Sequence, residues 1–129
     1  MERRAINPWS WQDNFGFVQA NEITGAQKVL YCSGQTSVDE NGTPLHEGDM
    51  AGQAGKALDN LEVVLKDAGM DLSNVVRLTI YTTDVDATIA NYGAVAPRLA
   101  PIKAAQTLIG VARLAFPPLM IEIEATAVA

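Results

Sequence analysis

The clearest pattern in the chain is an alternation of apolar and polar residues near its end. Between residues 119 and 128, one set of alternate positions is apolar: Leu119, Ile121, Ile123 and Ala125. Glu122, Glu124 and Thr126 share the other set of positions and are polar. Successive side chains of a β-strand point to opposite faces, so this pattern predicts a strand with one buried face. Residues 75–83 repeat it, with Val76, Leu78 and Ile80 opposed to Arg77, Thr79 and Tyr81.

Apolar residues at helical spacing predict two helices. The first carries the stripe Ala54, Leu58, Leu61, Leu65 and Ala68, with Asp49 as its N-cap and Gly69 just past its end. The second begins at Asp84 or Asp86 and carries Ile89, Tyr92 and Leu99. Because proline cannot donate a backbone hydrogen bond, Pro97 should kink or shorten this helix and Pro101 should end it.

Four further segments complete the predicted order. Residues 18–23, 28–33 and 104–113 read as strands, and residues 36–46 as a small hairpin around the turn signal Asn41-Gly42. The order β-β-α-β-α-β-β predicts a single α+β domain over residues 1–129, with two helices on one face of the sheet. The other face carries charged side chains, and such a bare face is often buried against another subunit.

Composition narrows the classes of function. The chain has 129 residues, 48% of them hydrophobic and 19% charged, which are values of a globular domain. No apolar run approaches the roughly 18 residues of a membrane span, and no apolar signal core follows the first arginines, so we expect no membrane association and a cytoplasmic location. A net charge of −6 repels phosphate backbones, so nucleic acid is not an expected partner.

Cysteine and histidine offer little chemistry here. Cys32 and His46 are the only residues of their types, so no internal disulfide forms and a zinc site lacks ligands. We expect no metal and no cofactor. Cys32 lacks a cationic setting and reads as a core residue. His46 could activate Ser33 or Cys32 in principle, but its turn-rich surroundings favour a solvated side chain.

Two groups of residues leave alternatives open. Glu122 and Glu124 project from the same strand face, either as acid–base groups or as partners of Arg77 or of a neighbouring subunit's cation. The aromatic cluster near the start is Trp9, Trp11, Phe15 and Phe17. It either walls a ligand pocket, anchors an interface, or holds down the N-terminus.

Three motifs together resemble the YjgF/RidA (Rid) family. Residues 32–36, Cys-Ser-Gly-Gln-Thr, resemble its Ser-Gly-Gln segment, and residues 57–61 resemble its Leu-Asp-Asn helix. Residues 111–114, Val-Ala-Arg-Leu, followed by residues 121–125, Ile-Glu-Ile-Glu-Ala, resemble its C-terminal signature. The order and spacing match across essentially the whole chain.

The resemblance implies a fold, an assembly and a site. The fold is chorismate-mutase-like, and the assembly is a homotrimer whose sheets line a central barrel, with small-molecule clefts between subunits. In the deaminases of the family, an arginine holds the carboxylate of a 2-imino acid and a glutamate positions water. The implied site residues are catalytic Glu122 and, for substrate binding, Ser33, Gly34, Phe17, Gln106 and Leu108.

Three of these positions depart from the family pattern. Gln106 stands where the deaminases have arginine, Phe17 replaces a tyrosine, and Leu108 replaces a cysteine. Glutamine is neutral and lacks the two-donor fork that grips a carboxylate. Lys103 and Arg113 are not expected to compensate, since their odd positions point to the other strand face. We expect an inter-subunit pocket that takes Gln106 and Glu122 from one chain's sheet.

Three functions follow from this interpretation. The first is a hydrolase-type enzyme on a small metabolite that is not an efficient 2-imino acid deaminase, with Glu122 orienting water and Gln106 binding substrate. The second is a non-catalytic, ligand-binding or regulatory trimer. The third is an imine deaminase that takes its cation from elsewhere. Some relatives are labelled endoribonucleases, but the acidic charge gives that activity no support.

Overall fold

The computed structural model describes residues 1–129 as seven β-strands and three α-helices. The strands are β1 Glu2–Ile6, β2 Ala20–Thr24, β3 Val29–Tyr31, β4 Gln35–Thr36, β5 Val75–Thr82, β6 Ala105–Gly110 and β7 Ile121–Val128. The helices are α1 Met50–Asp67, α2 Val85–Ala90 and α3 Ala96–Leu99. The predicted α+β class is confirmed. No helix combines the length and apolar character that crossing a membrane requires.

The main sheet has five strands. Its order is β3-β7-β5-β6, and β4 also pairs with β7. β5 and β6 are parallel, while β7 is antiparallel to β3, β4 and β5. β6 therefore forms one edge of the sheet. The crossover from β5 to β6 runs through α2 and α3, as a parallel connection requires.

The helix side of this sheet holds the core. The apolar positions of β7 are buried: Ile121, Ile123, Ala125 and Ala127. Across from them lies the α1 stripe, in which Ala54, Leu58, Leu61 and Leu65 are buried, while Ala68 is only partly buried. A register shift between Val75 and Arg77 changes which valine of β5 reaches the core. Val75 packs in it with Leu78 and Ile80, whereas Val76 does not.

The predicted ends of α1 are confirmed. Asp49 caps the helix, since its Oδ1 accepts a hydrogen bond from the Gly52 backbone at 3.0 Å. At the other end Gly69 has φ +73°, a conformation that glycine adopts without steric cost. The Met70 amide then donates back to the Leu65 carbonyl at 2.8 Å, which satisfies a carbonyl that the helix leaves free.

The predicted second helix is broken into pieces, and this part of the prediction was wrong. α2 begins at the Asp84 cap and ends at Asn91, whose Nδ2 donates to the Ala87 carbonyl at 2.8 Å. A 3₁₀ turn, α3 and a second 3₁₀ turn follow before β6. Pro97 occupies the first turn of α3, a position that proline tolerates, so it starts a new helix instead of kinking one.

The N-terminal strand β1 was not predicted. It pairs with β2 in a separate two-stranded sheet, so β2 does not pair with β3, the next strand along the chain. Side chains hold this sheet against the main one. Arg3 donates to the carbonyls of Ile102 at 2.6 Å and Lys103 at 3.0 Å, and Asn21 Nδ2 donates to the Val76 carbonyl at 2.9 Å. Of the hairpin predicted at residues 36–46, the structure contains only an isolated antiparallel bridge between Val38 and Pro44.

Candidate ligand-binding cleft

A cleft of about 580 Å³ lies at the β6 edge of the main sheet. Its size falls within the roughly 300–1,000 Å³ of small-molecule sites. β6 forms one wall, the 3₁₀ helix Trp11–Phe15 forms another, and the segment containing α2 and α3 closes the back. This position explains why an N-terminal aromatic cluster and residues of β6, far apart in the chain, meet at one site.

Four aromatic rings line the cleft: Trp11, Phe15, Phe17 and Tyr92. The Trp11 ring meets the Phe15 ring edge-on at 6.3 Å and the Phe17 ring edge-on at 5.7 Å. Edge-to-face pairs are favoured by the ring quadrupoles, so the three rings form a stable corner. Trp9, the remaining member of the cluster, is exposed and does not line the cleft.

Gly16 fixes the angle at which this aromatic corner meets the sheet. It ends the 3₁₀ helix with φ +73°, and a β-carbon at this position would stand 2.9 Å from the Ala100 β-carbon. Both the backbone conformation and the close approach therefore favour glycine. Val18, two residues on, forms a parallel bridge to Ala105 and joins the segment to the start of β6.

The cleft contains no charged side chain. Besides Tyr92, its polar lining residues are Asn14, Gln106 and Thr107, and of these the Thr107 hydroxyl accepts a hydrogen bond from Arg77 on the other face of the sheet. The Tyr92 hydroxyl donates to Gln106 Oε1 at 3.2 Å. Gln106 Nε2 is buried and has no hydrogen-bond partner, the one such side-chain atom in the protein. An unpaired buried donor is unfavourable, so this nitrogen would be stabilised by a bound ligand or water that accepts its hydrogen bond.

The predicted Ser33, Gly34 and Glu122 group lies elsewhere. β4 pairs with β7, and this pairing brings Gly34 beneath the Glu122 side chain. A β-carbon on residue 34 would stand 2.7 Å from Glu122 Cγ, so the carboxylate occupies space that only glycine leaves free. Glu122 is half-buried, and Ser33 precedes Gly34 at the exposed surface.

The charged groups around Glu122 belong to the face of the sheet away from the helices. The Tyr81 hydroxyl donates to Glu124 Oε1 at 3.4 Å. Arg77 donates to Thr107 Oγ1 at 2.8 Å and forms no ion pair with either glutamate. Burial, followed by the charge of Glu124, raises the pKa of the Tyr81 hydroxyl. Within one chain, the pairing of Arg77 with these carboxylates is therefore not formed.

Strand register separates the two groups. Gln106 lies opposite Leu78, which lies opposite Ala125, so all three side chains face the helices. Glu122 lies opposite Tyr81, and both face the other way. The expectation that one chain's sheet brings Gln106 and Glu122 into one pocket does not fit this geometry. The structure brings Gln106, Leu108 and Phe17 together in the cleft; the roles assigned to these residues and to Glu122 stay predictions.

The neighbouring cations also differ from expectation. Lys103 and Arg113 both lie outside β6, so the parity of strand positions does not describe where they point. Lys103 has φ +52° and Arg113 donates to the Leu114 carbonyl at 3.3 Å. Neither residue lines the cleft, so within one chain neither replaces an arginine at position 106. The conclusion drawn from the sequence therefore holds, but because of where the two residues lie and not because of strand parity.

Cys32 belongs to the core, as the sequence indicated. It is 6% exposed, and burial raises the pKa of its thiol, which disfavours the reactive thiolate. His46 lies near the cap of α1, with Nδ1 4.0 Å from Asp49 Oδ2. The residue that sequence reasoning missed is Tyr92, assigned only to an apolar helix face. No sequence signal marked its bond to Gln106, which depends on the broken helix.

Comparison with known proteins identifies the family to which the chain belongs. The family described as Endoribonuclease L-PSP matches residues 14–129. This chain belongs to the Rid family. A solved Rid-family protein of unknown function, YyfB from Yersinia pestis, superposes with a TM-score of 0.86 at 36% identity, covering 100% of both chains. Rv2704 from Mycobacterium tuberculosis, of the YjgF/YER057c/UK114 family, superposes with a TM-score of 0.68 at 28% identity, covering 99% of this chain and 100% of the other.

Curated Rid relatives match over shorter stretches. Protein DfrA of Myxococcus xanthus is 37% identical over 64% of this chain and 56% of its own length. The 2-iminobutanoate/2-iminopropanoate deaminase of Rattus norvegicus is 39% identical over 46% of this chain and 43% of its own length. The chain thus spans about half the length of these relatives. Their likeness supports the family, and their activities are not carried over by it.

Proposed function

We propose that this chain is a small-molecule-binding member of the Rid family whose cleft takes an uncharged, largely apolar ligand. The observation that carries the proposal is the lining of the cleft, in which aromatic rings surround one buried, unpaired amide nitrogen and no side chain is charged. Apolar walls with few polar groups are typical of small-molecule sites. A carboxylate entering this cleft would lose its hydration without gaining a cation.

The same lining argues against efficient deamination of 2-imino acids. Gln106 occupies the position at which the family resemblance places the carboxylate-binding arginine. A hydrogen bond to a charged group contributes about 1.5–3 kcal/mol, so loss of even one weakens binding tenfold or more. Deamination remains the third candidate, and it requires a cation from a neighbouring subunit.

We expect the protein to act as a homotrimer. Arg77, Tyr81 and Glu124 project from the face of the main sheet that no helix covers, and β6 leaves its edge unpaired beyond the Val18 bridge at its start. Uncovered sheet faces and edges are commonly buried between copies of a chain. The structure describes one chain, so an inter-subunit cleft, in which a neighbouring copy supplies Glu122 to the cleft, is part of the proposal. A cytoplasmic location stays a prediction.

A second candidate function is hydrolysis. Glu122 supports it, because the carboxylate is half-buried above Gly34 and has no cationic partner in the chain. A carboxylate held in this way is suited to orient water beside a bound substrate. Ligand binding alone requires no carboxylate, so the Glu122→Gln variant separates the two functions.

One assay series tests the proposal. Wild type should show little or no deamination of 2-iminopropanoate in a coupled assay, whereas Gln106→Arg should restore carboxylate recognition. Turnover by wild type comparable with that of an arginine-bearing relative would contradict the proposal and favour deamination with a borrowed cation. In a thermal-shift screen of metabolites, uncharged compounds should raise the melting temperature more than carboxylates. If wild type converts a compound found in this screen, and the Glu122→Gln variant binds the same compound without converting it, hydrolysis is favoured.

A further inference from the structure

The unpaired amide of Gln106 has a defined orientation, because Tyr92 lies beside it. Tyr92 follows α2 in the 3₁₀ turn Tyr92–Ala94, and its hydroxyl reaches Gln106 Oε1 at 3.2 Å. A hydroxyl that donates to Oε1 leaves the amide nitrogen as the group without a partner. Rotating the amide by half a turn would let Nε2 donate to the Tyr92 oxygen instead, but it would leave the Tyr92 proton without an acceptor and Oε1 without a donor. Tyr92 thus favours the orientation in which Gln106 offers a donor to the cleft.

The surroundings keep Tyr92 in the donating state. Its ring packs against the core beside Val95 and Leu99, and it lines both the cleft and a small apolar space behind it. Burial raises the pKa of the Tyr92 hydroxyl, so the proton that makes the hydrogen bond is retained at neutral pH. The ring is partly buried, and its packing against the core restricts where the hydroxyl lies.

The ligand chemistry follows from this arrangement. Resting on the proposed function, we propose that Tyr92 is a positioning residue that orients Gln106 Nε2 as the donor of the cleft, so the cleft selects flat, uncharged compounds bearing a carbonyl oxygen. The carbonyl pairs with Nε2, and the flat body lies against the Trp11 and Phe17 rings. A donor group at the same place meets another donor, and an apolar group leaves Nε2 unpaired.

Three bicyclic probes of matched shape test this selectivity. 1-Indanone carries a carbonyl acceptor, indole carries an N–H donor, and indene carries neither. On wild type, NMR titration should show 1-indanone binding about tenfold more tightly than indene, with indole no tighter than indene. Indene affinity depends only on the apolar walls of the cleft. Indene therefore tests the proposed function separately from the donor role of Gln106.

The Tyr92→Phe variant tests the positioning role. It keeps the ring, and therefore the shape of the cleft, but frees the amide to turn and offer Oε1 to a donor. The preference for 1-indanone over indole should fall to about threefold or less, while indene binding stays within about twofold. A merely structural role for Tyr92 would change the binding of all three probes together. Tyr81→Phe, the same chemical change on the opposite sheet face, should leave the wild-type preference intact.

A double variant closes the test. Gln106→Leu combined with Tyr92→Phe removes both polar groups without leaving either unpaired, and indene should then bind at least as tightly as 1-indanone. If no probe binds wild type, the proposed apolar cleft is wrong. If all three bind wild type equally, or indole binds best, the cleft stands and the donor role of Gln106 is overturned. If Tyr92→Phe keeps the wild-type preference, Tyr92 does not orient the amide.

Discussion

On strand β6, Gln106 and Leu108 face the helices, whereas Thr107 and Ile109 face the other way. The helix-side surface continues into the uncharged aromatic cleft. The opposite surface continues into Arg77, Tyr81 and the two glutamates of β7, where every polar group is charged or next to a charge. The same few strands thus build two surfaces of opposed chemistry, separated by the thickness of one sheet.

This difference assigns the two surfaces different partners. An uncharged cleft with one unsatisfied donor suits a small ligand, since a small molecule can supply one acceptor and fill apolar space. A wide face of charged and amphipathic side chains suits a protein partner, since a second chain can place many groups at once. Within one chain, the proposed trimer contacts and the proposed ligand contacts therefore lie on opposite faces of the sheet, although in the proposed trimer a neighbouring copy brings its Glu122 to the cleft.

The largest expected effect concerns stability and tests whether the helix-side face carries the folding free energy. Leu78 is fully buried there. Leu78→Ala should lower the free energy of unfolding by about 2–5 kcal/mol, because it removes buried methyl groups and leaves a cavity. Val63→Ala, an apolar truncation at the exposed surface of α1, should change it by no more than about 0.5 kcal/mol. If urea denaturation shows equal losses of unfolding free energy for the two variants, the helix-side face does not carry the folding free energy as expected.

The next effect concerns ligand charge and is confined to the cleft. Gln106→Arg should introduce binding of 2-ketobutyrate, with affinity tenfold to several-hundredfold above wild type, because the guanidinium supplies the missing cation. Calorimetry measures this change. Val63→Arg adds the same charge at the exposed surface of α1 and should bind no keto acid. If wild type binds 2-ketobutyrate as tightly as Gln106→Arg, residue 106 does not set the ligand class.

These two predictions rest on different levels of sequence information. Leu78 was predicted to be a core residue because alternation within one strand is a local pattern, and the structure confirms it. The same alternation also correctly predicted which side chains of β7 face the core. The relation between Gln106 and Glu122 could not be obtained this way. It depends on the register of β6 against β5 and of β5 against β7, which arises from packing between distant segments.

The errors in the fold have the same origin. The sequence Glu-Arg-Arg-Ala-Ile of β1 shows no alternation, and its strand forms because β2 and the Arg3 hydrogen bonds hold it in place. Asn91 ends α2 through a side-chain bond that propensity does not foresee. Tyr92 consequently turns toward Gln106, fourteen residues along the chain. Motifs predicted the family correctly, whereas the cleft required the packed structure.

A smaller effect concerns the charged face and tests the proposed trimer. Wild type should show three times the 13.8 kDa chain mass by light scattering at micromolar concentration. Tyr81→Glu places a third carboxylate beside Glu122 and Glu124, and repulsion among them in a closed interface should shift the mass toward that of one chain. Tyr81→Phe should remain trimeric. A monomeric wild type would refute the assembly and the supply of Glu122 by a neighbouring copy, and it would leave only the cleft lining that one chain provides.

The smallest effect compares the two tyrosines, one on each face. Burial raises the pKa of both hydroxyls, but the charge of Glu124 contributes only at Tyr81. Because both folded-state pKa values exceed the unfolded value of about 10, their contribution to stability is complete below that pH and is lost as the pH rises through the folded values.

Salt screens the effect of exposed charges on a pKa, but it does not change the effect of burial. Added salt should therefore lower the pKa of Tyr81 and leave that of Tyr92 unchanged in ultraviolet titrations, with Tyr81→Phe and Tyr92→Phe assigning the signals. A salt shift of equal size at both tyrosines would mean that the two faces do not differ in charge as the structure indicates.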